Sequence, residues 1–185
     1  MLLIIISVFA WIYVESNPLL FNESFWTHAH CIKIASVELR NYADKHNGEF
    51  PFHPDGYGDA LLLLDQEFFF ALTGPGFDPA FYDEVKRKGQ HLAENKCGRV
   101  YVQGLNTHSL PNTVILFDRL PTPGGDHCHF PFRLWAPLGR EVCYIDGNTE
   151  FVVETAWPQF ALKQIELLVE SGIQKERAKE LYGLK

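Results

Sequence analysis

Positive charge is scarce in this 185-residue chain: 16 Lys and Arg face 23 Asp and Glu, a net charge of -7 at pH 7. The densest basic stretch is the short cluster Lys86-Arg87-Lys88. Holding a phosphate backbone requires a concentrated positive field that displaces counterions, so nucleic acid is excluded as a partner. Internal repeats and low-complexity tracts are missing as well, which excludes solenoids and disordered arrays. The compact catalytic signatures are also absent: there is no Gly-x-Ser-x-Gly, no phosphate loop, no His-Glu-x-x-His and no dinucleotide fingerprint. The chain is therefore expected not to be an enzyme. Cysteine is limited to Cys31, Cys97, Cys128 and Cys143. Four cysteines allow three pairings, and the sequence does not choose between them. Cys31 in a helical pattern and Cys143 in a strand pattern equally suit small buried hydrophobes.

The rest of the composition is that of an ordinary folded domain, with 46% hydrophobic and 21% charged residues. The length supports one domain with its own core plus one appended segment. That segment is the amino terminus, where residues 1–14 contain no charged side chain. As a helix they would rise about 21 Å against a hydrocarbon core of about 30 Å. Extension through Phe21 nearly closes the gap, with Glu15 snorkelling and Pro18 bending or ending the helix. Trp11 and Tyr13 resemble an interfacial aromatic belt. A basic leader and a small-x-small cleavage site are both lacking, which favours an uncleaved anchor over a signal peptide; a buried core helix is the competing reading. Residues 1–21 are thus expected to anchor the chain in a membrane, and residues 22–185 to form the folded domain.

Within that domain, Phe25, Ala29, Ile32, Ala35 or Ser36, Leu39 and Tyr42 recur at three- and four-residue intervals, which predicts a long amphipathic helix from Ser24 to about Lys45. Asn22 or Ser24 caps its start, Asn47-Gly48 stops it, and Pro51 prevents a restart. A loop through Phe50-Pro51-Phe52-His53-Pro54 leads to a shorter helix over about residues 58–70, with Phe68-Phe69-Phe70 read as core. Residues 74–95 read as a surface helix or loop. Strands are predicted over 99–105 and 113–118, followed by a hairpin over 141–153 turning at Asp146-Gly147. Between them lies a long Pro-, Gly- and aromatic-rich connection, 121–140, whose Phe130 to Trp135 cluster suits core packing or a partner surface equally well. A last amphipathic helix runs from about Trp157 to Gly172, and a charged tail closes the chain. The expected fold class is α+β, with the long helix packed on an antiparallel sheet of about four strands.

Two clusters carry soft or borderline metal ligands. Asp126, His127, Cys128 and His129 suit zinc by type, but strand neighbours point to opposite faces and need a loop to share one ion. His28 and His30 differ by about 200° around a helix and do not form a ligand pair by themselves. Exposed or capping histidines are the expected reading of both clusters, so no cofactor is assigned.

The order Tyr42, Asn47-Gly48, Phe50-Pro51, then Gly56 and Gly58, behind an apolar amino terminus and a long helix, resembles type IV pilin-like proteins and the pseudopilins of type II secretion. The later order is similar to the His-x9-Asp-Gly group of that family: Cys97 to Val102, Val114 to Asp118, Gly124 to His127, then Val142 to Gly147. His127, Asp146 and Gly147 stand as its motif residues. The His-to-Asp interval is longer here, 146 − 127 = 19 positions, and the prepilin peptidase site is missing. The resemblance implies a non-catalytic envelope protein on a single amino-terminal anchor in the bacterial cytoplasmic membrane, its domain in the periplasm. Its partners would be other pseudopilin-like proteins in secretion or pilus-like assembly. It also implies calcium as an ion for loop carboxylates, here Asp118, Asp126 and Asp146. The alternative is a metal-binding (zinc) periplasmic protein or hydrolase using Asp126, His127, Cys128 and His129.

Overall fold

The computed structural model describes residues 32–64, 74, 79–125 and 135–184. Helix α1 (Ile32–Lys45) buries Ile32, Ala35, Leu39 and Ala43, the three- and four-residue stripe expected of an amphipathic helix. It ends at Asn47-Gly48, where the Gly48 N–H returns to the Ala43 carbonyl at 2.8 Å. Among the described residues, α2 (Tyr57–Leu61) and α3 (Pro79–Lys88) follow, and then a 3-10 turn over Glu94–Lys96.

The sheet comprises β1 (Arg99–Tyr101), β2 (Val114–Asp118), β3 (Thr122–Pro123), β4 (Leu138–Tyr144) and β5 (Thr149–Val153). All pairings are antiparallel: β1 with β2, and β4 with β2, β3 and β5. Every residue of β2 is buried, because the sheet is covered on both faces. Phe117 stacks on Tyr182 with ring centroids 4.6 Å apart and meets Trp157 at 5.4 Å, whereas Cys143, cross-strand from Leu116, lies beside Ser36 of α1. Helices α4 (Trp157–Glu170) and α5 (Lys175–Leu181) close the second face. Gln164 of α4 accepts from the Val114 N–H at 2.9 Å and donates to the Asn112 carbonyl at 3.1 Å, pinning that helix to the start of β2.

The α+β class and the small antiparallel sheet agree with the sequence reading; a pilin-like arrangement is not specifically supported. Three local expectations change. The connection 121–140 contributes a fifth strand, β3, paired to β4 at Thr122 and Pro123. The second helix, α2, covers Tyr57–Leu61 before turns carry the chain to Leu64, and the rest of the expected stretch, 65–70, lies outside the described residues. The charged carboxyl-terminal tail folds as α5, because Ala178 and Tyr182 are buried on its inner side.

The expectation of a single membrane anchor with a periplasmic domain is corrected. Among the described residues no helix is long and apolar enough to cross a membrane. The longest helices, α1 and α4, have 14 residues each, or about 21 Å of rise where about 30 Å is needed. Both are amphipathic and pack against the sheet. Residues 1–21, which carried the anchor reading, lie outside the described residues, as do Cys31, Cys128 and the Phe68-Phe69-Phe70 cluster. Trp135 is 77% exposed.

Among the described residues one ion pair lies entirely inside. Arg99 and Asp118 are cross-strand partners on β1 and β2, both 0% exposed, with Nη1 and Oδ1 3.2 Å apart. Asp118 Oδ2 also accepts the Glu141 N–H at 3.1 Å, so this carboxylate joins β1, β2 and β4. Removing one member leaves a buried charge uncompensated: Asp118→Ala is expected to lower unfolding free energy by roughly 3–5 kcal/mol in urea titrations, with Arg99→Met/Asp118→Leu recovering much of the loss. Cys97 and Cys143 are free and buried, and burial pushes both thiols up to about 12. A raised folded-state thiol pKa stabilises the fold below the unfolded thiol's value, and that contribution is lost as pH rises toward the folded one. The urea midpoint is therefore expected to fall above about pH 9, and to fall less in Cys97→Ala/Cys143→Ala.

Candidate metal centre

The described residues bring together a group that the sequence reading did not single out. His53 and Asp55 lie in the loop after α1, and Asp59 lies in α2. Their ligand atoms all fall within 4.8 Å of one another. His53 Nδ1 is 3.7 Å from Asp55 Oδ2 and 3.8 Å from Asp59 Oδ2. A fourth residue, His91, comes from the stretch between α3 and the 3-10 turn, and its Nδ1 is hydrogen-bonded to Asp59 Oδ2.

Local sequence explains how these groups converge. Pro51 and Pro54 restrict the loop backbone on either side of His53. Pro54 and Asp55 occupy a turn, and the Asp55 N–H donates to His53 Nδ1 at 3.3 Å. Gln103 Oε1 accepts the His53 N–H at 3.3 Å, fixing that end of the loop against the chain beyond β1. Gly58 then allows α2 to approach closely: a Cβ there would stand 2.0 Å from the Leu92 carbonyl oxygen. With that contact made, the Leu92 N–H donates to Asp59 Oδ1 at 2.8 Å. One carboxylate oxygen is held by the backbone, and the other is left facing the two histidines.

A polar network fixes the floor beneath. Glu94 accepts the Tyr57 N–H at 3.0 Å through Oε1, which also pairs with Arg177 of α5. Its carbonyl accepts from Tyr57 Oη at 3.1 Å and from Arg119 Nη2 at 2.7 Å. Arg119 Nε donates to the Cys97 carbonyl at 2.8 Å and its Nη2 reaches Tyr57 Oη. Burial is the main cause that pushes the Tyr57 phenol well above its ordinary range, and it therefore remains a neutral donor. These contacts tie α2, the 3-10 turn, β2 and α5 into one frame under Asp59.

In chemical terms, the centre sets an imidazole lone pair and two carboxylates around one point. The Asp59 side chain is 9% exposed, so its charge is withheld from bulk water, whereas Asp55 at 70% and His91 at 57% reach solvent. A small cation entering from the Asp55 side would meet a buried, oriented carboxylate and solvent-exposed outer groups.

Asp126, His127, Cys128 and His129 lie outside the described residues. Asp146 and Gly147 form the β4–β5 turn, where Asp146 Oδ1 and Oδ2 accept the Asn148 N–H at 2.9 Å and its Nδ2 at 2.6 Å. Asp118 is committed to Arg99 and the Glu141 N–H. The sequence signal for this group is His53-Pro54-Asp55 directly ahead of Gly56-Tyr57-Gly58-Asp59, two candidate ligands in a constrained turn and a third in a glycine-framed helix. His91 gives no such signal, because only the fold brings it near.

Gly58→Ala is expected to destabilise the fold by about 1–3 kcal/mol, since the added methyl forces α2 away from a backbone carbonyl rather than from a flexible side chain. Urea unfolding of the variant checks this.

Compared with known proteins, the chain matches no family model, no curated protein and no solved structure. The expected place in secretion or pilus-like assembly is accordingly corrected: no match links the chain to pilins or to a secretion system, and among the described residues no helix can cross a membrane.

Proposed function

We propose that this protein binds a divalent transition-metal ion of the zinc class through His53, Asp55 and Asp59. The observation that carries this reading is the convergence of one imidazole and two carboxylates within 4.8 Å, around an Asp59 carboxylate that is buried and oriented by the Leu92 N–H. Two ligands about 2.0–2.1 Å from a tetrahedral ion lie about 3.4 Å apart. The 3.7 and 3.8 Å separations from His53 Nδ1 therefore need to close by only a few tenths of an ångström.

Donor chemistry favours this class over calcium. Calcium takes six to eight oxygens, whereas imidazole nitrogen suits zinc, copper, iron and nickel. The set mixes nitrogen and carboxylate oxygen and is small, which fits a four-coordinate ion. Ion binding would neutralise two clustered carboxylates and fasten the loop at His53 and Asp55 onto α2.

Calorimetric titration with zinc is expected to give one ion per chain, with binding abolished in Asp59→Ala and weakened at least tenfold in His53→Ala. Binding is expected to weaken from pH 7.5 to pH 5, because each ligand must be deprotonated to hold the ion. Free zinc at about 100 times its dissociation constant should raise the unfolding temperature by roughly 5–10 °C. The absence of stoichiometric uptake by the wild-type protein would overturn the reading.

A further inference from the structure

Resting on that metal-binding reading, we infer that His91 is the fourth protein ligand, which makes the centre a closed two-nitrogen, two-oxygen site that fastens three separate stretches of chain together. His91 is 32 residues from Asp59 in sequence, yet its Nδ1 touches the oxygen, Oδ2, that also faces His53 Nδ1 at 3.8 Å. One carboxylate oxygen thus faces imidazole nitrogens from two different parts of the chain. The contact is not forced by crowding, since the His91 side chain is 57% exposed and has solvent into which it could turn. Its neighbour Leu92 is 1% exposed and donates to the other oxygen of the same carboxylate, so the His91 backbone is held at the site while its ring stays free to adjust.

The movement required is a turn of the exposed His91 ring toward the group of His53, Asp55 and Asp59, whose ligand atoms lie within 4.8 Å of one another. With an ion present, His91 Nδ1 must withdraw from hydrogen-bond contact with Asp59 Oδ2 to the spacing of about 3.4 Å that two ligands of a tetrahedral ion keep. The ring shifts through solvent exchange to the tautomer that carries its proton on Nε2, and the freed Nδ1 lone pair turns to the metal. His53 undergoes the matching exchange, because its Nδ1 gives up the Asp55 N–H for the ion. Four ligands from the chain fill a tetrahedral shell, as in structural zinc sites, whereas sites that activate water keep one position open. The ion then clamps the His53–Asp55 loop and the His91–Leu92 stretch to α2, across the contact that Gly58 makes possible. This assigns the centre a role in holding the fold.

X-ray absorption at the zinc edge of the loaded wild-type protein tests the assignment without a variant: two imidazoles in a four-coordinate shell are expected. Cobalt loading should give the intense visible bands of a tetrahedral ion. In His91→Ala those bands should collapse to the weak spectrum of a higher-coordinate ion, with zinc affinity reduced at least tenfold. A wild-type shell with one imidazole, or a His91→Ala protein that keeps the tetrahedral cobalt spectrum and wild-type affinity, would overturn the fourth ligand while leaving the metal-binding reading intact. Failure of the wild-type protein to take up zinc or cobalt would overturn both.

Discussion

The approach of α2 to the backbone at Leu92 is the constraint on which the centre depends. Without a side chain at Gly58, the helix lies against the Leu92 carbonyl, and the next residue, Asp59, reaches the Leu92 N–H. A buried carboxylate is costly unless its oxygens are satisfied. Here one oxygen is met by a backbone donor and the other by the His91 ring. The same contact that stabilises the carboxylate also aims it, so packing and ligand geometry cannot be altered separately at this point.

Below the centre, Glu94, Arg119, Tyr57 and Arg177 form a network that spans elements far apart in the chain. Arg119, just past β2, and Arg177, in α5, both converge on Glu94. The carboxyl-terminal helix therefore does more than cover the sheet. It completes the electrostatic support of α2 through Arg177, while Tyr182 and Ala178 bury its inner side against the rest. The Arg99–Asp118 pair plays the corresponding part within the sheet, with one carboxylate linking β1, β2 and β4.

Much of the framework was legible in the sequence. The three- and four-residue stripe of α1 was read correctly over Ile32–Lys45 because an amphipathic helix records its own buried face. The β4–β5 hairpin was equally visible, since Asp146-Gly147 dictates a turn through local chemistry alone. The short β3 strand was missed because two residues carry no periodicity, and pairing to β4 is what defines them as a strand. Helix α5 was read as a tail because its charge conceals two inward residues. The candidate group of His53, Asp55 and Asp59 gives a weaker local signal than the adjacent histidines and cysteine of Asp126 to His129, because its members are separated in the chain and are brought within 4.8 Å of one another by the fold.

By itself the sequence determined the α+β class, the stop of its first amphipathic helix at Asn47-Gly48 and the turn of its hairpin, because each of these follows from local periodicity or turn chemistry. Only the tertiary structure decided which histidines and carboxylates share a point in space. His91 joins Asp59 through the fit of a glycine against a distant carbonyl, and no local pattern within either segment encodes that long-range contact.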